Sequence, residues 1–329
     1  MTTVNPVESL LQLSAGFYVS RALHAIADLG VADALGDAPQ STAALAETTA
    51  AHGGALDRAL RLLALYGVFH YNDGVVAHTP SSRLLRQDHP QSMRSLVRMF
   101  GLPGIWAAAG ELTSTVQTGE PSANRALPGG IWGYLRQNPD ASRIFGEAMT
   151  GKAQGQIAGV LDAYDFSSFS VVADVGGGHG HLIQAIVTAT PTVQGVLFDQ
   201  PQVIEEAQAI ASDRMRLMGG DFFHDPLPEA DAYILMEVIH DWDDQSSRNL
   251  LAAVRRAARG NAKLLLVEAL LPNDSSPNWP TTLDIVMLTI GGRQRTLREY
   301  SDLVRDAGFT MTREIDTQSG ISIIEAIAV

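Results

Sequence analysis

The sequence contains no cysteine, so it can form neither disulfide bonds nor thiolate metal sites. Lysine and arginine together number 23 against 36 aspartate and glutamate residues, and the formal net charge is −13. Nucleic acid binding depends on clustered cations, so this balance argues against a nucleic acid partner. The chain also lacks an apolar run of the roughly 18 residues that a membrane span needs, and its start lacks the basic region of a secretory signal. We therefore expect a cytoplasmic protein that binds neither membrane nor nucleic acid.

The length of 329 residues and the hydrophobic content of 46% predict two domains with a sizeable core. Apolar residues recur at helical spacing from about Ser9 to Leu35, and a short capped helix and an amphipathic helix follow at 41–47 and 56–65. The turn Asn72-Asp73-Gly74 between two β-prone runs predicts a hairpin. Helix, helix and hairpin is the order of a winged helix, which raises a ligand-sensing DNA-binding regulator as an alternative. Residues 1–90 carry eight acidic and five basic side chains, which favours a dimerisation module instead.

From Val171 onward the pattern changes to alternating strands and helices, which is typical of a parallel sheet with helices on both faces. The fold class is therefore α/β. A helix at 297–307 and short strands at 309–315 and 321–328 should complete the sheet in antiparallel orientation. The predicted domains are 1–100, a helical linker at 101–165, and a catalytic domain at 166–329. The other predicted strands are 171–175, 195–199, 232–236 and 263–268, with helices near 181–189, 202–211 and 244–258 between them.

A glycine-rich turn, Asp174-Val175-Gly176-Gly177-Gly178-His179-Gly180, follows the first predicted strand of this domain. Glycines at alternate positions adopt positive φ and let the backbone approach a ligand closely. The NAD fingerprint needs a glycine where His181 stands, so the turn fits NAD poorly. We expect a small molecule with a ribose and a charged tail; a plain tight turn from strand to helix is the alternative interpretation.

Polar side chains fall at the carboxyl ends of successive predicted strands, where open parallel sheets bind their ligands. Asp199 lies about twenty residues past the glycine turn, the separation at which a carboxylate accepts hydrogen bonds from ribose hydroxyls. Asp221 is expected to bond an adenine amino group, with Phe222 and Trp242 against the ring. Helix capping and simple core packing are the alternative roles for these residues.

His240 follows the fourth predicted strand, and Glu268 ends the fifth. A histidine with a pKa near neutrality can remove a proton from a hydroxyl, and a carboxylate on its other nitrogen fixes the tautomer. The cluster His240-Asp241-Trp242-Asp243-Asp244 also offers ligands for a divalent metal. Adjacent residues rarely converge on one ion, and Asp243 and Asp244 suit a helix N-terminus, so we expect no metal.

Taken together, these motifs resemble those of the S-adenosylmethionine (SAM) dependent small-molecule O-methyltransferases, which include plant caffeic acid and flavonoid enzymes and bacterial enzymes of secondary metabolism. The resemblance covers nearly the whole chain. It implies a Rossmann-like class I methyltransferase domain with a mainly parallel seven-stranded sheet, preceded by a mostly helical winged-helix dimerisation domain. It also implies SAM as cofactor and an intertwined homodimer. The motifs that carry it are Asp174-Val175-Gly176-Gly177-Gly178, Leu197-Phe198-Asp199-Gln200-Pro201, Gly220-Asp221-Phe222-Phe223, Ile239-His240-Asp241-Trp242, Glu268 and Gly291-Gly292-Arg293-Gln294-Arg295-Thr296.

The resemblance implies methyl transfer from SAM to a hydroxyl of an aromatic or polyketide-like acceptor, with His240 as general base and Glu268 and Asp241 beside it. The linker would contribute to the acceptor pocket. The cofactor contacts that it implies are Asp174, Gly176, Gly178, Asp199, Gln200, Asp221, Phe222 and Trp242. The acceptor contacts that it implies are Trp106, Phe145, Met149, Met236, Met287 and Gln294.

Two positions depart from the family pattern. Gln294 stands where relatives often have Glu, and the missing carboxylate should lower the pKa of His240. Met236 stands where plant relatives often have Lys, so one adenine contact would be absent. The alternatives to O-methylation are methylation of a heteroaromatic nitrogen and a redirected reaction, namely hydroxylation, decarboxylation or a guided cyclisation.

Overall fold

A computed structural model describes residues 5–273 and 277–329. The chain forms two compact units. The first comprises the described residues up to Ala107 together with Ile131–Lys152, and the second comprises Ala108–Gly130 and Ala153–Val329. Across the described ranges, no helix has the length and apolar character that crossing a membrane requires.

The N-terminal part of the chain is helical and contains a small antiparallel sheet. The predicted hairpin is confirmed, because Asp73 (φ 44°) and Gly74 (φ 77°) form a two-residue loop whose positive φ angles suit the twist of a hairpin. The predicted helix from Ser9 to Leu35 is instead two helices, since Gly30 adopts a left-handed φ of 64° between them. The elements are α1 Pro6–Asp28, α2 Val31–Leu35, β1 Gln40–Ser41, α3 Thr42–Thr48, α4 Gly53–Leu65, β2 Phe69–Asn72, β3 Val75–His78, α5 Pro80–Arg83, α6 Arg94–Phe100, α7 Pro103–Gly110, α8 Leu112–Thr118, α9 Ser122–Ala126, α10 Gly130–Gln137 and α11 Pro139–Ala163.

Helix α1 carries large apolar side chains that the rest of the chain leaves in water. Leu13 is 79% exposed, Leu10 is 68% exposed, and Phe17 and Tyr18 beside them are also exposed. Near the other end of the helix, Ile26 is buried in the core of the first unit. A monomeric soluble protein rarely leaves such a stretch uncovered, so this part of α1 has the character of an interaction surface.

The second unit is built from alternating strands and helices, as the sequence predicts. The predicted helix at 202–211 is a shorter α-helix that continues as a 3₁₀ turn at Ala207–Ile210. A further strand for which the sequence gave no bounds precedes Asp221. The elements are β4 Val171–Val175, α12 His181–Ala189, β5 Gln194–Asp199, α13 Pro201–Glu206, β6 Met215–Gly219, β7 Ala232–Met236, α14 Asp244–Ala257, β8 Lys263–Glu268, α15 Trp279–Ile290, α16 Leu297–Asp306, β9 Phe309–Asp316 and β10 Ser322–Ala328.

Within the described residues, these strands form a seven-stranded sheet in the order β6-β5-β4-β7-β8-β10-β9. The first five in this order run parallel, and β10 and β9 are antiparallel, which confirms the predicted completion of the sheet. Helices cover both faces, so the central strands are nearly continuous apolar runs. The chain order reverses between β4 and β7, and this reversal opens a crevice at the carboxyl ends of the strands, where such sheets bind ligands.

Candidate active site

The glycine turn lies at the end of β4, on one side of this crevice. Gly176 and Gly178 have φ angles of 74° and 59°, which glycine adopts without strain. A Cβ at Gly176 would lie 3.0 Å from Val238 on the facing side, whereas a Cβ at Gly178 would meet nothing within 4 Å. The turn therefore presents bare backbone to open space, as a ligand that packs closely against it requires.

Two carboxylates lie beside the turn. Asp199, at the end of β5, accepts hydrogen bonds from the amides of Gly178 at 2.8 Å and Gln200 at 2.7 Å. Burial raises the pKa of Asp199, although these amides oppose the shift. Burial raises the pKa of Asp174 in β4 to about 7, and the nearby charge of Asp199 adds to this shift. The backbone amide of Ile183 partly opposes the shift but is not placed for a hydrogen bond. Neither carboxyl oxygen of Asp174 has a hydrogen-bond partner within the part of the chain that the structure describes.

The residues predicted to surround adenine form one group. Asp221 accepts a hydrogen bond from the Phe223 amide at 2.9 Å, and its other oxygen is 2.8 Å from Nδ1 of His224. The amide and then His224 hold the pKa of Asp221 below its usual value, so its carboxylate stays ionised. Phe222, Phe223 and Trp242 pack edge to face, with ring centroids 4.8 to 5.9 Å apart. The group offers an acceptor and aromatic surfaces together, and its contact with adenine stays a prediction.

His240 lies on a 3₁₀ turn, Ile239–Asp241, between β7 and α14. Its Nδ1 is 3.0 Å from Oε2 of Glu268. The two atoms are close enough for an ion pair, but their angle does not meet the geometry of a hydrogen bond. Its Nε2 is 3.5 Å from Oδ1 of Asp241. Glu268 is fully buried and His240 is 6% exposed, so water screens their attraction little. With Nδ1 facing the carboxylate, Nε2 is the ring atom that can accept a proton.

The charge state of His240 follows from its neighbours. Burial alone would lower its pKa, but the Glu268 carboxylate, and then Asp241 and Glu237, raise the pKa to about 9. The pKa therefore stays above its ordinary value even though Gln294 supplies no carboxylate. This shift favours the protonated imidazole at neutral pH.

Glu268 also fixes the turn that carries the histidine. Its Oε1 accepts hydrogen bonds from the amides of Ile239 at 2.9 Å and His240 at 3.3 Å. One carboxylate therefore positions the backbone of the turn with one oxygen and faces the imidazole with the other.

Arg295 holds the same turn from the opposite side, and its side chain is fully buried. Nη1 donates to the carbonyl oxygen of Ile239 at 3.1 Å, and Nη2 donates to that of Trp242 at 2.8 Å. Nε and Nη2 both donate to Oδ1 of Asp244, at 3.0 and 2.8 Å. The guanidinium thus joins the two carbonyls that flank the His240-Asp241 pair to the first turn of α14.

The chain segment before Arg295 packs directly on the turn. The amide of Arg293 donates to the carbonyl oxygen of His240 at 2.7 Å. A Cβ at Gly292 would collide with that same oxygen, so only glycine allows the approach. The motif at 291–296 therefore packs against the turn and stabilises its backbone.

Three of the predicted acceptor residues lie in the first unit. Trp106 on α7 packs edge-on against Phe17 and His24 of α1, with centroids 6.5 and 6.0 Å apart. Phe145 on α11 contacts Trp132 at 5.8 Å. Met149, also on α11, is half-buried. Their assignment to the acceptor stays a prediction.

The other three lie in the second unit. Met236 ends β7 and is half-buried, and Met287 is buried on α15. Gln294 is 1% exposed; its backbone amide donates to Asp284 at 2.8 Å. Its side-chain oxygen and nitrogen have no hydrogen-bond partner among the described residues. These three residues stay predicted acceptor contacts.

The sequence reasoning missed three residues near His240. Arg295 was part of a recognised motif, but nothing in the sequence indicated that its guanidinium is buried. Glu237 directly follows the strand residue Met236, so the rule that singled out Asp199 at the end of its strand would have found it. Gln156, which donates to Glu237 at 3.3 Å, lies on a helix that gave no signal of a polar contact.

The sheet order, the glycine turn and the carboxylates at the strand ends define a class I methyltransferase fold. The chain belongs to the O-methyltransferase family: the sequence model of the O-methyltransferase domain matches residues 109–310, and that of the O-methyltransferase dimerisation domain matches residues 11–88. It is a SAM-dependent O-methyltransferase.

Similar proteins cover nearly the whole chain. It is 40% identical to the phenazine O-methyltransferase PhzM of Lysobacter antibioticus, over 96% of this chain and 95% of that protein. It is 33% identical to the mitomycin biosynthesis 6-O-methyltransferase of Streptomyces lavendulae, over 97% of this chain and 93% of that protein. The crystal structure of human N-acetylserotonin methyltransferase in complex with SAM matches with a TM-score of 0.87 and 27% identity, over 100% of this chain and 99% of that one.

The residues present fit SAM as the cofactor. Space lies open over Gly178, where a Cβ would meet no atom. Asp199 is only partly buried and keeps acceptor capacity beyond its two amide bonds, while Asp174 has buried oxygens without partners. Acidic side chains of this kind suit hydroxyl donors and cationic groups.

We predict that Arg295→Lys lowers kcat about 10- to 100-fold while the dissociation constant for SAM changes little. Lysine keeps the charge but cannot bridge two carbonyls and Asp244 at once, and a misplacement of about 1 Å at a reacting group has this order of effect. Arg293→Lys is the matched control, because the exposed Arg293 side chain also pairs with Asp244. Steady-state kinetics and calorimetric titration with SAM compare the two variants. A folded Arg295→Lys variant with wild-type kcat would contradict the role of Arg295 in positioning the turn.

We also predict the pH dependence of kcat/KM for SAM. The pKa of His240 is raised to about 9, so the neutral imidazole is scarce below that pH. The value of kcat/KM should therefore rise with pH, by up to about tenfold per unit, until the pKa is passed. In Glu268→Gln the largest of the effects that raise this pKa is lost, and Asp241 and Glu237 alone oppose the effect of burial, so the rise should move to lower pH and the plateau should fall. An unmoved profile in Glu268→Gln would show that this carboxylate does not set the pKa of His240.

Proposed function

We propose that this chain transfers the methyl group of SAM to a hydroxyl of an aromatic or polyketide-like small molecule, with His240 as general base. The observation that carries the proposal is the buried contact between Nδ1 of His240 and Glu268, 3.0 Å long. A relative that is 40% identical is named as a phenazine O-methyltransferase, which supports an acceptor with an aromatic ring.

SAM supplies a methyl group activated by a positively charged sulfur. A hydroxyl is a poor nucleophile until its proton leaves, and Nε2 of His240 is the atom that takes this proton. Glu268 then stabilises the imidazolium and keeps its orientation. Before that step the imidazole must be neutral. A cation bound in the crevice favours the neutral form, because two positive charges repel strongly where water is excluded.

We predict that His240→Ala loses methyl transfer by at least about 100-fold, because general-base catalysis contributes on the order of 10² to 10⁴. SAM should still bind by calorimetry, since the glycine turn is unchanged. His70→Ala, at an exposed position in β2, is the control and should keep full activity. Product mass is the decisive measurement: the acceptor should gain one methylene. Full turnover by His240→Ala would refute the base assignment, and another mass change would indicate a redirected reaction.

We propose further that the protein is a homodimer and that the exposed apolar part of α1 lies in the dimer contact. The match to a dimerisation domain over residues 11–88 supports this, because that range includes Leu13, Phe17 and Tyr18. Burial of large apolar side chains is the main driving force of association.

The double substitution Leu10→Glu with Leu13→Glu should convert the dimer to a monomer, since it places two charges on the proposed contact. Val116→Glu is the control, because Val116 is 74% exposed and lies outside the dimerisation match. Sedimentation equilibrium measures the mass of each variant. A double variant that stays dimeric at low micromolar concentration would place the contact elsewhere.

A further inference from the structure

Asp174, near the end of β4, is a buried carboxyl group without a hydrogen-bond partner. Its side chain belongs to a residue that is 1% exposed, and neither of its oxygens is bonded within the described part of the chain. Most buried polar groups in folded proteins are hydrogen-bonded, and an unpaired buried carboxylate is among the most costly groups to keep. A position that retains such a group therefore calls for a functional explanation.

The carboxyl group of Asp174 lies directly against the glycine turn. A Cβ at Gly177 would be 2.5 Å from Oδ2 of Asp174, so a residue with a side chain could not pass this close. At the next residue of the turn, the amide of Gly178 donates to Asp199 at 2.8 Å. Two carboxyl groups therefore contact consecutive residues of the turn that borders the cofactor crevice.

The charges that act on this pair do not neutralise Asp174. Burial, and then the negative charge of Asp199, raise the pKa of Asp174 to about 7. Burial also raises the pKa of Asp199, and His179 is a basic side chain that opposes that second shift. Nε2 of His179 is itself 3.1 Å from Oε2 of Glu206 on α13. Asp174 therefore keeps its proton in slightly acidic solution and adds a negative charge beside the turn above neutral pH.

We propose that Asp174 is a proton-linked counter-ion for SAM: its carboxyl group releases its proton to water when the positively charged cofactor binds against the glycine turn, and the carboxylate then attracts that cofactor. This inference rests on SAM being the cofactor. Only the O–H bond of the carboxyl group breaks, and the proton passes to solvent. Because the oxygens of Asp174 are enclosed, the effect is electrostatic and needs no hydrogen bond to SAM.

The charge of the ligand decides how strongly Asp174 responds. SAM has a net positive charge at neutral pH because of its sulfonium, whereas the product S-adenosylhomocysteine lacks the sulfonium and has no net charge. An opposite charge within about 4–6 Å lowers the pKa of an aspartic acid by about 1 to 3. Binding of SAM should therefore ionise Asp174 near neutral pH, and binding of S-adenosylhomocysteine should do so much less.

The test is calorimetric titration of the full-length protein at pH 6.5, without acceptor, in two buffers that differ in ionisation enthalpy. The comparison counts the protons released on binding. With SAM, the wild type should release about 0.5 to 0.8 proton more than Asp174→Asn. His240 is present in both proteins, so the difference reports Asp174. Equal release by both proteins, or an equal difference with S-adenosylhomocysteine, would overturn the proposal. Failure of the wild type to bind SAM would instead overturn the cofactor assignment itself.

The affinity for SAM gives a second readout. At pH 8 the wild-type carboxyl is ionised, so Asp174→Asn should bind SAM at least about tenfold more weakly. The difference should narrow by about tenfold or more at pH 5, where the wild-type carboxyl is protonated. A difference that does not change with pH would contradict a proton-linked role. Asp165→Asn is the matched control: it removes an exposed carboxylate that precedes β4 and should release as many protons as the wild type.

Thermal unfolding of the ligand-free proteins separates this role from a purely structural one. The pKa of Asp174 is raised in the folded protein, so the wild type should lose stability as pH rises from about 4, the ordinary aspartate value, to about 7. Asp174→Asn lacks this loss. Its melting temperature relative to the wild type should therefore be higher at pH 8 than at pH 5, and the comparison cancels any cost of packing the amide. An unchanged difference would overturn the proposal.

Discussion

The active site depends on the way one buried carboxylate is shared. Glu268 uses one oxygen to accept hydrogen bonds from two backbone amides of the turn Ile239–Asp241 and presents the other to the imidazole of His240. A buried carboxylate is costly unless its oxygens are engaged, and here the engagement positions His240, the proposed base. This arrangement helps to position the histidine, and the Glu268 charge is the largest of the effects that raise its pKa.

Much of this architecture could be predicted from sequence, because the signals are local. The alternation of strands and helices predicted the parallel sheet, and acidic residues at the carboxyl ends of predicted strands singled out Asp199 and Glu268. The residues Asn72-Asp73-Gly74 predicted the hairpin, and the structure gives Asp73 and Gly74 the positive φ angles that such a turn needs. Gly30, by contrast, divides the first helix although the apolar spacing continues past it.

What the sequence could not supply are contacts between distant residues. Arg295 and Asp244 are 51 positions apart, and nothing in either neighbourhood marks the arginine as buried. Gln156 and Glu237 are 81 positions apart and meet only because a long helix passes the end of β7. The backbone conformation of Glu237 is also invisible in sequence, since glutamate gives no sign of a left-handed φ. Such features depend on how helices and strands pack against one another. The spacing of apolar residues in the sequence indicates only which helix or strand each segment forms.

The turn that carries His240 is held almost wholly through main-chain atoms. Glu268 and Arg295 bind amides and carbonyls at residues 239, 240 and 242, and the Arg293 amide binds the carbonyl of residue 240. Such bonds do not depend on which side chains residues 239 and 242 carry. A change of side chain at Trp242, which packs on Phe222 and Phe223, can therefore alter that aromatic group while the main-chain bonds that position the imidazole remain.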